Sequence, residues 1–563
     1  MEPVRQDVQY QPTRFTLWDT VCIIVGIIIG IGIFRSPGSI FAMSSGPWQA
    51  LGIWIVGGLL CIVGAYCFAE LASTYPRSGG EYVYLTRACG PWLGFLFAWG
   101  QLLIVRTGAS IVVMAYIFAD YALKLENCLR ERMQGPRAED EPAVWPVVYP
   151  LVALLPIVVL TVINIAGVQF GRRTQNLLTV VKVLGLIGVL VAGFLWAKSP
   201  AERDELKVYE GTVTATGSDI LQLQLADNDQ TRFFKIERRT KVTLDGQDQI
   251  TPPGQDKRNV QPADLQEKRA KVLVHADEPF RAVRVKGTDH SPLGALALAL
   301  IFVLWTYAGW HEGAYVASEV ENKRRNLPRS LLLATTVVIV LYVLVNAAYV
   351  AGLGFEAAAD SEMVAADVLK RVPGDFGEPT MCVLVMLSAL GAINGMLCTN
   401  SRIFAEFGKD HALFGPLGHW SKRFGTPLVA LVVQLLVCLA TIAAMTRWVR
   451  NSDTFGRLVV GTAPVFWLFF LATGVALFVL RRKDPDIERP FRAPAYPLTP
   501  LIYCGFCALM VAGSVILLPL DAAVWLGVLL VGVPLYWLTR HSPRALAALG
   551  RDEGHKIHST VGD

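Results

Sequence analysis

Charge is what this sequence has little of. Asp, Glu, Lys and Arg make up 17% of its 563 residues, against roughly 25% in a soluble globular chain. The deficit sits in long apolar blocks, which excludes an ordinary soluble domain. A Walker phosphate loop is absent, and no nucleophile–base pairing can be placed in one site, so no enzyme is expected. Ten cysteines are present, none at metal-ligand spacing with His. Nine of them, Cys22, Cys61, Cys67, Cys89, Cys382, Cys398, Cys438, Cys504 and Cys507, fall in or beside apolar blocks. They read as small buried packing residues, and neither metal nor cofactor is expected. No cleavable leader is read at the start: "MEPVRQDVQYQPTRFTLWD" is polar, and the apolar block after it is too long for a signal h-region. The first helix is expected to serve as its own insertion signal.

What is present is a series of apolar stretches long enough to span a bilayer, which takes about 20 residues each. Twelve are read, near 18–43, 48–74, 91–119, 147–166, 176–197, 292–320, 330–353, 379–400, 427–446, 457–480, 498–518 and 521–540. With the N-terminus inside, the clusters "GRR" at 171, "NKRRNLPR" at 322 and "RRKDPDIERPFR" at 481 all fall on the cytoplasmic side. Both termini are therefore expected in the cytoplasm. The net charge of +5 is then a topology signal and implies no nucleic-acid partner.

Two features break the helix–loop pattern. The first is a polar segment over 199–290, in which "KVYEGTVTATG", "ILQLQLAD", "QTRFFKIERRTKVTLDG", "RAKVLVHAD" and "RAVRVKG" alternate as strands between turn signals. Acidic and basic residues nearly cancel in it. It is expected to form a small antiparallel β-domain outside the membrane, since long inserts translocate regardless of charge.

The second feature is glycine in the wrong place. "VGIIIGIGIFRSPG" puts Gly26, Gly30 and Gly32 inside the first apolar block, at about 1 kcal/mol each in a helix interior. "LWTYAGWHEGAYVASEVENKRRNLP" puts Gly309 and Gly313 around His311 and Glu312 in the sixth. Gly26 and Gly30 alone, as GxxxG, suit a helix-packing face. Two interrupted helices five spans apart instead point to a transporter built from inverted repeats. An unwound stretch frees N–H and C=O groups for the carboxylate and ammonium of a zwitterion, and glycine admits the close approach.

At these residues the chain resembles the amino acid–polyamine–organocation superfamily, and within it the L-type amino acid transporters. "IIIGIGIFRSPG" is similar to the family's broken first helix, and "FAELASTYPRSGGEYVYL" to its second-to-third helix loop. "SEVENKRRNLPRS", "SALGAINGMLCTNSRIFAEFGKDHALF" and "RPFRAPAYPL" resemble later family segments in the right order. The resemblance covers about 15–197 and 291–540. It implies an all-α membrane protein of twelve transmembrane helices, a 5+5 inverted repeat plus two extra helices, with the all-β insert. The expected division is 1–198 and 291–480 for the two repeats, 199–290 for the insert, 481–540 for the last two helices and 541–563 for a cytoplasmic tail.

Position by position, the resemblance implies substrate contacts from the backbone of Ile29, Gly30, Ile31 and Gly32, and from Trp305, Thr306, Tyr307, Ala308 and Gly309. His311 is included in the substrate set. Trp305 corresponds to an aromatic gate. Lys182, in "LLTVVKVLG", corresponds to a lysine that replaces a sodium ion between the first and eighth spans; a proton-carrying role and snorkelling to the interface are the alternatives. Arg106 reads as structural, paired with a carboxylate or with carbonyls. His311 and Glu312 depart from the L-type pattern. A carboxylate there suits a cationic or polar substrate, or turns away into a polar network. Cys128, in "LKLENCLRERM", falls in the external loop where eukaryotic L-type relatives bond a glycoprotein; no covalent partner is expected through it. The reading is an amino acid permease of a bacterial inner membrane, working by alternating access as an exchanger or proton symporter. A sensor built on a transporter scaffold and a polyamine or cationic amino acid transporter are the alternatives.

Overall fold

The computed structural model describes residues 15–134, 145–196, 206–216, 220–225, 230–235, 241–244, 269–275, 282–288, 292–361, 363–372, 377–448, 454–517 and 519–540. The expected tail at 541–563 lies outside the described residues.

Helices cover the apolar blocks. The first block is two half-helices, α1 (Leu17–Ile28) and α2 (Gly32–Ala42), bent by 47° at the break. Then follow α3 (Pro47–Thr74), the short α4 (Glu81–Cys89), and a continuous run of α5 (Pro91–Gly100), a π-helical segment (Gln101–Ile111) and α6 (Val112–Gln134). Helices α7 (Trp145–Ala166) and α8 (Val168–Leu195) complete the first half. The second half opens with α9 (Pro292–Thr306), which stops at Thr306; after a turn the chain resumes as a 3-10 helix, Glu312–Glu319. Next come α10 (Lys323–Leu353), the short α11 (Phe355–Ala359) and α12 (Val364–Leu369), and α13 (Gly377–Asp410). Last are α14 (Leu428–Trp448), α15 (Thr454–Lys483), α16 (Leu498–Leu517) and α17 (Pro519–Arg540). Among the described residues nine helices are long and apolar enough to cross a membrane, ten with the bent pair, and Gly294–Thr306 and Leu428–Ala444 are shorter apolar helices. Many large apolar side chains face outward, Leu155, Leu184, Val340, Leu436 and Leu530 among them, as a lipid-facing surface requires.

One expectation about a loop is corrected. Cys128 lies in helix, because α6 runs on to Gln134; the charged face of "LKLENCLRERM" is the solvated side of that extension.

The insert forms a six-stranded sheet in the order β3-β2-β1-β5-β6-β4. Its strands are β1 (Leu206–Thr216), β2 (Ile220–Leu225), β3 (Thr231–Lys235), β4 (Lys241–Leu244), β5 (Arg269–His275) and β6 (Ala282–Thr288). The long alternating run at 230–246 divides into β3 and β4, at opposite edges of the sheet. Strand β4 pairs parallel to β6, so the sheet is mixed where an all-antiparallel one was expected. Val213, Leu221, Leu223, Phe234 and Val272 are buried in it.

The helical bundle is tied at the end where α1 begins. Thr16 and Asp19 form a capping box, with the hydroxyl accepting from the Asp19 amide at 3.2 Å and the carboxylate accepting from the Thr16 amide at 2.9 Å. The same carboxylate accepts from Asn176 at 2.6 Å and from Arg172 at 3.3 Å, fastening α1 to α8. The Phe15 amide donates to Glu319 O, and the Glu321 amide to Phe15 O. Arg402 on α13 forms a bidentate pair with Glu319 at 2.9 and 3.0 Å, both side chains buried. Arg77 donates to Glu406 at 2.6 Å and to Asp410 at 3.0 Å, joining the loop before α4 to the end of α13. Glu70, at the end of α3, accepts from Arg481, Arg489 and the Ala493 amide.

Breaking a buried ion pair by removing one partner costs about 3–5 kcal/mol, whereas replacing both by apolar groups is much milder. Arg402→Met is therefore expected to lower the thermal midpoint of the detergent-solubilised protein, read by fluorescence-detected size exclusion. The Arg402→Met, Glu319→Met double variant recovers most of that loss. A double variant no better than the single one would show that burial of an unpaired carboxylate is not the cause.

Candidate functional site

The two breaks face each other. Gly32, at the start of α2, lies against Thr306, the last residue of α9: a Cβ built on Gly32 would meet the Thr306 methyl at 2.8 Å. Gly309, with φ of +120°, lies against Ile27 and Ile28. Only glycine takes that backbone conformation without strain, so the second break depends on it. The three glycines of the first break do different things. Gly26 and Gly32 are packing positions, Gly26 lying against Gln175 and Thr179 of α8. Gly30 is the least crowded of the three: a Cβ there would make ordinary contacts, the nearest at 3.6 Å, with Met114 of α6 at 3.9 Å.

The carbonyls freed between α1 and α2 are taken up by neighbouring elements. Lys182 of α8 is fully buried, and its Nζ donates to Gly26 O at 2.6 Å, Ile29 O at 3.0 Å and Ser388 O of α13 at 3.1 Å. The Ser388 hydroxyl donates to Ile29 O at 2.8 Å and Gly30 O at 3.3 Å. Tyr342 of α10 donates to Ile28 O at 2.8 Å. One ammonium thus ties α1, α8 and α13 together, the place expected for an ion surrogate. The amides on the far side of the break are different. Gly32 and Ile33 open α2 ahead of its first backbone bond, from Phe34 to Ile31 O. They present the positive end of a half-helix inside the bundle.

Trp305 is half-buried at the end of α9, and Ala308 is half-buried in the turn. The side chains of Thr306 and Tyr307 turn away to packing. Thr306 donates to Phe302 O and Ser36, and Tyr307 is buried between Trp54 and Tyr342 with its hydroxyl on Trp54 O. Their contribution at the break is restricted to backbone.

His311 and Glu312 enter a buried polar network, the second of the two outcomes open from the sequence. Arg106 projects from the π-helical segment and pairs with Glu312. Its other terminal nitrogen lies 2.7 Å from His311 Nε2. A guanidinium only donates, so that imidazole nitrogen accepts and the ring is neutral with its proton on Nδ1. Aromatic rings of Phe68, Trp310, Tyr315, Phe466 and Phe470 surround the imidazole. Glu81, the first residue of α4 and outside the membrane-crossing helices, completes the set: its Oε1 accepts from Tyr315 at 2.9 Å and lies 3.8 Å from His311 Nε2. Glu81 is fully buried. Burial pushes its carboxyl up to about 8, against the opposing pull of its own amide, the Tyr315 hydroxyl and the Arg106 charge. Glu81 was legible only as part of the "SGGEYVYL" motif; its burial beside the sixth block is a tertiary fact. Gly80 makes that contact possible, with φ of +52° and Tyr315 only 2.7 Å from where a Cβ would stand.

This is a multi-pass membrane protein with two interrupted helices meeting at its centre and carbonyls capped by a buried lysine. The profile described as "Amino acid permease" matches residues 15–235 and 257–534, and the chain belongs to that family. It is similar to the large neutral amino acids transporter small subunit 2 of Mus musculus, 27% identical over 531 residues, which cover 93% of this chain and 80% of the relative. The human cystine/glutamate transporter is 27% identical over 542 residues, 95% of this chain and 87% of the relative. The b(0,+)-type amino acid transporter 1 of Mus musculus is 26% identical over 480 residues, 84% and 77% respectively. The protein is accordingly an amino acid permease and not an enzyme.

Lys182→Met removes three charge-assisted bonds from the first break. Amide hydrogen exchange over 22–34, read by mass spectrometry, is expected to speed up relative to wild type. Unchanged exchange would show that the ammonium does not hold the break.

Proposed function

We propose that this permease moves a zwitterionic amino acid by alternating access, with the substrate seated between the two breaks. The observation that carries this is the opposition of the two breaks, Gly32 lying against Thr306 and Gly309 against Ile27 and Ile28. In this reading the substrate carboxylate takes the amides of Ile31 and Gly32, at the edge of the half-helix end that Gly32 and Ile33 open. The ammonium takes backbone carbonyls around Ile29, Gly30 and Trp305 to Gly309. Trp305 acts as the gate over the site, and His311 joins the far end of the second break to the Arg106 network. Lys182 acts as the ion surrogate that the Gly26, Ile29 and Ser388 carbonyls require, with proton carriage as its alternative. The scaffold is read as a 5+5 inverted repeat with two further helices, both termini cytoplasmic and the β-sheet domain extracytoplasmic in a bacterial inner membrane. The name of the large neutral amino acids transporter relative points to neutral amino acids; cationic amino acids and polyamines are the alternative.

The test is uptake of a panel of labelled L-amino acids into proteoliposomes, with and without unlabelled amino acid inside and with and without a proton gradient. Uptake of at least one neutral amino acid is expected. Gly30→Leu, whose side chain extends past the Cβ contacts at 3.6 to 3.9 Å into the break, should abolish uptake while the protein inserts and elutes as a single peak. Normal uptake by Gly30→Leu would remove this break from the mechanism. Replacing 203–287 by a short linker should leave uptake intact; loss of a growth response to external amino acid with uptake preserved would favour the sensor reading.

A further inference from the structure

The network around Arg106 does not balance its charge. Two carboxylates, Glu81 and Glu312, and one guanidinium, Arg106, are buried together, and the His311 ring is neutral because its Nε2 accepts from Arg106. Arg106 is taken by Glu312. Glu81 is left as the excess anion, with one oxygen bonded to Tyr315 and the other, Oε2, buried with no hydrogen-bond partner. A buried carboxylate without a counter-charge is far more costly than a neutral acid. Tyr84, whose hydroxyl is also buried without a partner, lies near enough to feel the charge on Glu81.

We propose that Glu81 is a proton-binding site, and that one proton on its Oε2 travels with each amino acid. This rests on the transport reading above. The step is simple: Glu81 takes a proton from water while exposed on one side, an O–H bond forms at Oε2, and the neutral acid is sealed against Tyr315. When the sixth block moves, the Glu81–Tyr315 bond and the adjoining bond from the Gly79 amide to Tyr315 O break. The acid meets water, and the O–H bond breaks in favour of a hydrated carboxylate. The Arg77–Glu406–Asp410 clamp next to Gly79 has to open for that to happen.

The groups that set the affinity come from every side. The broken sixth block supplies Tyr315, His311 and Glu312, the π-helical segment supplies Arg106, and α4 itself supplies Tyr84. Helix α16 supplies Tyr503, and Cys398 of α13 stands behind Glu312. Helix α15 faces the network with the rings of Phe466 and Phe470, which exclude water from the imidazole. The linkage has a definite sign. A carboxyl raised to about 8 is loaded below that pH and empty above it, so coupled transport is lost as the loading side becomes more alkaline than about 8.

The proton is read directly by infrared difference spectroscopy of the purified protein between pH 6 and pH 9.5. Wild type should show a protonated-carboxyl band at pH 6 that disappears at pH 9.5 and is missing from Glu81→Gln. Absence of such a difference between the two proteins overturns the site. Coupling is read in proteoliposomes holding a pH dye and no internal amino acid, because in exchange the protons carried inward and outward cancel. Wild type should acidify the lumen as it takes up external substrate, and Glu81→Gln should exchange substrate in vesicles preloaded with amino acid at symmetric pH but should not acidify the empty ones. Glu81→Asp, which keeps a titratable group, should restore part of the proton signal. A Glu81→Gln protein that acidifies empty vesicles like wild type overturns the proposal, as does wild type that takes up substrate into them with no proton movement or that exchanges substrate without any net uptake. A wild type that moves no amino acid in either format fails the transport reading itself, whatever the infrared band shows.

Discussion

A helix that stops inside a membrane leaves peptide groups that water cannot reach, and each must find a partner within the protein. The rest of this structure is arranged around that constraint. Between Ile28 and Gly32 the chain stops being helical, and three separate elements come in to meet its carbonyls: Lys182 from α8, Ser388 from α13 and Tyr342 from α10. The donors are unequal. Lysine brings three donors, and they meet the Gly26, Ile29 and Ser388 carbonyls. The amides across the break have no such partners, and the asymmetry leaves a half-helix end suited to an anion.

The sixth block breaks by a different route. Gly309 turns the backbone and a tight 3-10 turn carries the chain on from Glu312, so no ammonium is used there. Its polar side chains are instead gathered into the Arg106 network, to which the π-helical segment contributes. A π-helix widens the turn and re-aims side chains relative to an α-helix, and it occurs in the run where Arg106 must reach across to Glu312. Phe68, Trp310 and Phe470 close over the result, so the two sides of the molecule are joined by a patch that is polar inside and aromatic outside.

Charge elsewhere collects where α1 begins. Asp19, Arg402, Arg77 and Glu70 each bridge elements far apart in sequence. Ion pairs of this kind add little net stability when exposed, but they are specific, and each can be broken and remade as elements move. Arg402 and Glu319 are the exception, since both are buried and their bidentate geometry compensates for lost hydration.

The apolar blocks are helical among the described residues, the first and sixth with a break, and nine or ten of these helices are long enough to cross a membrane, because an apolar stretch has no other stable form in lipid. The strands of the insert were legible for the same kind of reason, since alternation selects one face of a sheet. So were the two breaks, because glycine inside an apolar helix has a cost with no local return. What pattern could not say was which partner each group would meet. Gly26, Gly30 and Gly32 look alike along the chain, yet two are packed tightly against Gln175 and Thr306 and one tolerates a Cβ at ordinary contact distance. Thr306 and Tyr307 sit at the break by position, yet their side chains turn into the core. Glu81 and Tyr315 are separated by 234 residues, and only folding brings the excess carboxylate to the phenol. Helix or strand is decided by neighbours along the chain and the solvent around it. The meeting of charges is decided by which helices pack together, and no local pattern encodes that.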